Sequence, residues 1–364
     1  MGIFRFECRK FLLGHKSWLI LCFVLLAQWF LLLFGISDIA TFIEFDGNKE
    51  KYISYISEYQ GELTESKMAQ IRVEENQINE SEKKFGQLFA QLQNGEITST
   101  QYQEKSLPIT VFLHKKDVFA FFKEQVEYCA EKPEQRYIIY ENPWSGMLQT
   151  PVLDIPLLLG GILVAVLIFS DEYNSGMYLL LQTSLKGKQR TIFSKFGYIG
   201  LLIFVFSIFS SIFPVLNSAI RYGGLCGGQY PIQSLRYFSL CPYPITILQG
   251  YFIIWLFKFF AVLIVAYIAA LLCILLKKGL SSFILSSSLV LIPYVMLNTT
   301  KVMYYIPYLG LDLGYTFFSG IRLPGDETSI IATPVHLVFC ILSGIIVIFA
   351  SISLSVWYWN RKER

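Results

Sequence analysis

Six long apolar runs dominate this chain, near 17–35, 152–170, 196–217, 257–276, 282–299 and 335–356. A run of about 18 or more apolar residues crosses the roughly 30 Å hydrocarbon core of a bilayer as a helix, and only a helix or a closed barrel satisfies its backbone hydrogen bonds there. Composition agrees: 54% of residues are hydrophobic, only 16% are charged, and the mean hydropathy is +0.49. The expected fold is an all-α integral membrane protein with six transmembrane helices and an inserted, mainly helical extracellular domain. Basic residues precede the first run, as in a signal peptide. That run is longer than an ordinary signal core, however, and Gly35 to Ala40 offers no convincing cleavage site, so 17–35 is read as a retained first span.

Charge sets the expected orientation, because Lys and Arg collect on the cytoplasmic side. Arg5, Arg9, Lys10 and Lys16 precede the first run, Lys186, Lys188, Arg190 and Lys195 follow the second, Lys277 and Lys278 follow the fourth, and Arg361, Lys362 and Arg364 follow the sixth. Both termini are expected inside. The long segment between the first two spans carries 19 acidic and 12 basic residues over 35–150. The cations are therefore topology determinants rather than a nucleic-acid surface.

Between the spans, residues 1–16 alternate Phe4, Phe6, Phe11 and Leu12 with Arg5, Arg9 and Lys10, the pattern of a cytoplasmic interfacial helix seated on membrane lipid. Residues 36–150 form the extracellular domain. Its core is expected to be a helical hairpin: Ile71, Ile78, Phe85 and Leu92 recur every seven residues, Asn94-Gly95 supplies a stop, and a second helix covers Pro108 to Lys132. "RYIIYE" reads as a short strand. Residues 151–364 hold the remaining five spans, a cytoplasmic loop at 171–195 and a broken, aromatic outer segment at 301–334 read as re-entrant. In the stretch Ile245 to Leu276, Lys258 interrupts the apolar run. Its first part is placed along the outer interface so that Lys258 snorkels, the alternative being a lysine on a substrate or ion pathway. Cys226 and Cys241 share one outer loop, which leaves either a disulfide or two thiols.

Chemistry-bearing motifs are missing. His15, His114 and His336 fall in different compartments with no metal-ligand spacing. No G-x-x-x-x-G-K-[ST] loop occurs to cradle a phosphate chain, so neither ATP nor any other cofactor is expected in this chain. Asp154, at the outer end of the second span, is the one acid near a membrane segment on that side.

The stretch "DEYNSGMYLLLQTSLKGKQRTIFSK" resembles the loop after the second span in permease subunits of ABC type-2 exporters: Glu172, Gly176, the Leu179, Leu180, Leu181 run, Thr183-Ser184, Arg190 and Lys195. It departs from the family pattern at Met177 and at Ser184-Leu185, where Thr and Pro are common. The layout is closest to larger-ectodomain members such as sodium-extrusion and antimicrobial-peptide export or immunity permeases of the bacterial plasma membrane. The resemblance implies a non-catalytic transport subunit whose loop forms a coupling helix on a separate cytoplasmic ABC ATPase, which binds ATP and Mg. It also implies a second permease copy or paralogue. A membrane receptor that senses a peptide through its helical ectodomain is the alternative.

Overall fold

The structure, a computed structural model, describes residues 17–34, 48–148, 154–178, 187–296, 318, 321–322, 329–330 and 334–361. The helices in chain order are α1 (Ser17–Phe34), α2 (Asn48–Tyr59), α3 (Glu65–Gln93), α4 (Ser99–Ala130), α5 (Asn142–Leu148), α6 (Ile155–Asn174), α7 (Gly187–Tyr222), α8 (Ile247–Leu276), α9 (Gly279–Met296) and α10 (Pro334–Arg361). Two residue pairs, Ile321–Arg322 and Ser329–Ile330, form a minimal antiparallel ladder. Among the described residues four helices are long and apolar enough to cross a membrane: α6, α8 and most of α7 and α10. The apolar stretches of α1 and α9 are shorter, Trp18–Leu31 and Gly279–Ile292. The chain is a mainly helical, multi-pass membrane protein.

Helices α2 to α4 form an insert with its own core. Thr64 caps α3, and Thr98 opens α4 with a capping box in which Gln101 answers the cap backbone, together satisfying amides that a helix start leaves unpaired. Asn94 ends α3 and Gly95 takes φ +74°, as the sequence anticipates. At the end of α2, the Lys67 ammonium donates to the carbonyls of Tyr59, Gln60 and Glu62 at 2.9–3.1 Å. Tyr55, Tyr59, Phe119 and Phe122 pack ring on ring with Ile71 and Ile78 beneath them. The seven-residue stripe is buried only in this half; Phe85 is half-buried against Tyr102, and Phe89 is exposed. "RYIIYE" contributes a single bridge, Ile138 to Gly61, rather than a strand.

In the bundle, α6 is central and touches α1, α7, α8 and α9. Two glycines permit this. A Cβ on Gly160 would stand 2.5 Å from Val24 of α1, and one on Gly161 would stand 2.7 Å from Val262 of α8. Large apolar side chains such as Phe23, Phe209, Phe349 and Trp357 point outward, as lipid-facing surfaces require. Helix α8 corrects the expectation of an interfacial first part: it runs unbroken for 30 residues from a capping box at Thr246 and Gln249, about 45 Å at 1.5 Å per residue. A tight connector, Gly223 to Pro244, joins α7 to α8 through two 3-10 turns, Ile232–Ser234 and Arg236–Phe238. It bonds to the insert through Tyr128 Oη to the Gln233 carbonyl at 2.7 Å and the Tyr137 amide to Ser234 Oγ at 3.0 Å.

Candidate functional site

Helix α6 carries an acid at each end of an uncharged apolar run, and each acid meets a lysine from a different neighbour. Asp154 and Glu172 are 18 positions apart, about 27 Å along the helix, close to the thickness of a hydrocarbon core. Isolated charges there would be costly; paired ones are tolerated.

At the insert end, Asp154 is the N-cap of α6 but makes no capping bond. Its carboxylate instead lies 3.0 Å from Lys258 Nζ on α8. This corrects the snorkelling expectation: Lys258 is held by a partner 104 positions away in sequence. The pair lines a narrow crevice with Gln28, Ser210, Ser211, Pro214, Tyr251 and Trp255. Gln28 donates to Ser210 Oγ, Tyr251 Oη donates to the Ser211 carbonyl at 2.6 Å, and Trp255 Nε1 donates to the Ser207 carbonyl at 3.2 Å. Pro214 lies inside α7 and has no N–H to offer the Ser210 carbonyl four residues earlier, so this turn of α7 is polar where its neighbours are not.

At the opposite end, Glu172 and Lys195 form a clasp between α6 and α7 at 2.5 Å, with side chains 3% and 1% exposed. Lys195 Nζ also donates to the Ile168 carbonyl at 2.9 Å and sits 5.0 Å from the centre of the Phe169 ring. Glu172 thus pairs with a lysine of its own chain. No neighbour among the described residues lies within 4 Å of a Cβ built at Gly176, and φ there is +70°, so the glycine serves a left-handed turn that ends α6. Beyond it Tyr178 stacks against Tyr173, and Tyr173 against Trp359 of α10. Lys277, itself at φ +54°, stands 6.0 Å from the centre of the Tyr178 ring. Sequence reading missed these aromatics, because nothing local distinguishes them from lipid-facing rings.

Of the other expected site residues, Arg190 is exposed near the start of α7. Leu179, Leu180 and Thr183, the interfacial residues Phe4, Arg5, Arg9 and Lys10, and most of 301–334 lie outside the described residues. Cys226 and Cys241 are free thiols, the first exposed and the second buried. The Cys241 sulfur faces the Tyr243 carbonyl at 3.8 Å instead of another sulfur, so the loop takes the thiol alternative. Burial pushes the Cys129 thiol up to about 12. Just before α5, Glu141 lies 3.7 Å from Arg236; burial raises its carboxyl to about 7, with Arg236 pulling the other way. Among the described residues no group of three His, Cys, Asp or Glu side chains is placed to hold a metal.

Comparison with known proteins leaves the geometry to speak alone: no family model, no curated protein and no solved structure matches this chain.

Proposed function

We propose that this chain is the membrane-spanning permease subunit of an ATP-driven ABC exporter, crossing the bilayer six times with both termini and the loop after α6 in the cytoplasm. The observation that carries the reading is the Glu172 to Lys195 clasp. It fixes the two helices that enter and leave the 175–186 loop, so a push on that loop moves α6 and α7 together. A docking segment works only when its ends are fastened to what it must move, and this one is fastened by a buried ion pair, a left-handed glycine turn and a tyrosine stack. Arg190 adds exposed positive charge at the same rim, suited to anionic headgroups or an acidic partner face. Helices α1 and α9, 18 residues each, reach about 27 Å and complete six crossings with slight bilayer thinning.

In this reading a separate ATPase supplies ATP, Mg and hydrolysis, a second permease copy or paralogue completes the pathway, and the cargo is peptide, lipid-like or ionic. The test is co-expression with an ABC ATPase, should a neighbouring gene encode one. Wild type should retain it through purification, and Leu180→Asp should lose at least about tenfold of it, a 1.4 kcal/mol effect, with unchanged membrane insertion. Undiminished retention and full ATP-dependent transport by Leu180→Asp would end the reading. A peptide-sensing receptor is the second reading, favoured by the separate aromatic core of the insert; a histidine kinase in place of an ATPase would select it.

A further inference from the structure

Where the insert meets the α7–α8 connector, two carboxylates share one guanidinium. Arg236, on the second 3-10 turn of the connector, lies 3.7 Å from Glu124 of α4 and 3.7 Å from Glu141, the residue before α5. Among the described residues it is the only cation in an ion pair with either. Neither distance is that of a closed hydrogen bond, so the guanidinium stands between two acceptors without closing on one of them.

The two acceptors are unequal. The Glu124 side chain is 61% exposed and that of Glu141 only 16%. Water solvates a charge on the first, whereas a charge on the second has to be held by the protein. The elements packed around Glu141 offer little for that task. From α2 it meets the phenol of Tyr52, and from α4 the phenol of Tyr128 and the thiol of Cys129. The Gln125 amide lies 3.5 Å away but also donates to the Ile139 carbonyl. Its neighbour Tyr140 packs between Tyr52 and Tyr222, and the cations Lys49 and Arg221 stand against the Tyr222 ring. Burial accordingly raises the Glu141 carboxyl to about 7, with Arg236 opposing.

We propose that these groups form a proton-operated joint: when Glu141 takes a proton from water Arg236 closes on Glu124, and when Glu141 returns that proton Arg236 closes on Glu141. The exchange hands the connector from one support to another. With Arg236 on Glu124 the connector is tied to the insert helix α4; with Arg236 on Glu141 it is tied to the start of α5, which packs on α7. Acidity on the insert side of the membrane thereby selects what braces the link between α7 and α8. The joint goes beyond the exporter reading and does not depend on it.

The test is an infrared titration of the full chain in detergent micelles, following the C=O stretch of a protonated carboxyl. A band with a midpoint near pH 7 is expected, and Glu141→Gln should remove it. Glu124→Gln should lower the midpoint by about half a unit, because Arg236 loses its competing carboxylate, and Arg236→Gln should raise it by about one unit. A double-mutant cycle read by melting temperature follows the exchange itself. The coupling of Arg236 to Glu124 should be about 2 °C near pH 6 and fall below about 0.5 °C near pH 8.5, while its coupling to Glu141 moves the opposite way. Titration of Glu141 near the ordinary 4.5, a midpoint indifferent to Glu124→Gln, or couplings equal at both pH values would overturn the joint. Loss of ATPase retention with these results intact would leave the joint standing and remove the exporter reading.

Discussion

The two ends of α6 use the same chemistry, a carboxylate against an ammonium, to different effect. Glu172 sits in the last turn, where the helix dipole disfavours an anion by about 0.3–1 kcal/mol, yet its pair is shut away with a second hydrogen bond and a ring beneath the lysine. Asp154 sits where the dipole favours it, and its pair is looser, with Lys258 15% exposed beside a polar crevice. A buried ion pair is weak evidence of net stabilisation against apolar residues of equal size. The tighter pair, at the less favourable place, is therefore better understood as a fastener that fixes register than as a source of stability. The looser pair has the polar groups of Gln28, Ser210 and Ser211 around it.

Breaking the pairs separates these roles. Lys195→Met should produce the largest loss, about 3–5 kcal/mol, read as thermal stability in detergent, because Glu172 is stranded in an enclosed site. The double variant Glu172→Leu with Lys195→Met should return most of it. A double variant no better than the single one would mean that the residues do not act as a pair. Lys258→Met should cost less, about 1–3 kcal/mol, and Lys258→Arg should restore most of it, since it keeps a cation opposite Asp154. If Lys258→Met matched Lys195→Met, the contrast between a closed and an open end would fail.

Two smaller effects sharpen the comparison. Gly176→Ala should cost about 1–2 kcal/mol through its left-handed backbone, since no neighbour among the described residues lies within 4 Å of a Cβ there. Gly176→Asn should cost less than Gly176→Ala, as Asn tolerates that region. The smallest effect concerns Glu141, on the insert side. Its folded value of about 7 stands above the ordinary 4.5, so between these values the folded chain keeps a proton that the unfolded chain releases. Its contribution to stability is fully present below about pH 4.5 and is lost as pH rises through 7. Glu141→Gln should flatten that part of the stability profile measured from pH 4.5 to 8.

Much of the architecture was legible in the residues themselves. Long apolar runs, the Asn94-Gly95 stop and the seven-residue stripe of Ile71 and Ile78 are local patterns, and each lies where local physics puts it. Partners distant in sequence were not legible. The break expected before Lys258 assumed a lone charge; with Asp154 opposite, the helix has no reason to stop, and α8 runs through. The pairing of Glu172 with Lys195, 23 positions on, likewise leaves no sign in the sequence. The left-handed backbone of Gly176 belongs to the folded turn and could not be read from the residues beside it. The aromatic stack of Tyr173, Tyr178 and Trp359 joins positions that only the folded bundle brings together.

Helix α7 has a mechanical consequence. Its 36 residues extend about 54 Å, well beyond the thickness of a hydrocarbon core. Near its start it holds Lys195 in the clasp; at its far end Tyr222 packs edge-on against Tyr140 of the insert, and Lys49 of α2 donates to the Arg221 carbonyl at 2.7 Å. The helix therefore joins the clasp to the insert as one continuous element. Its turn at Pro214 lacks a backbone hydrogen bond, so bending between the two ends should concentrate there.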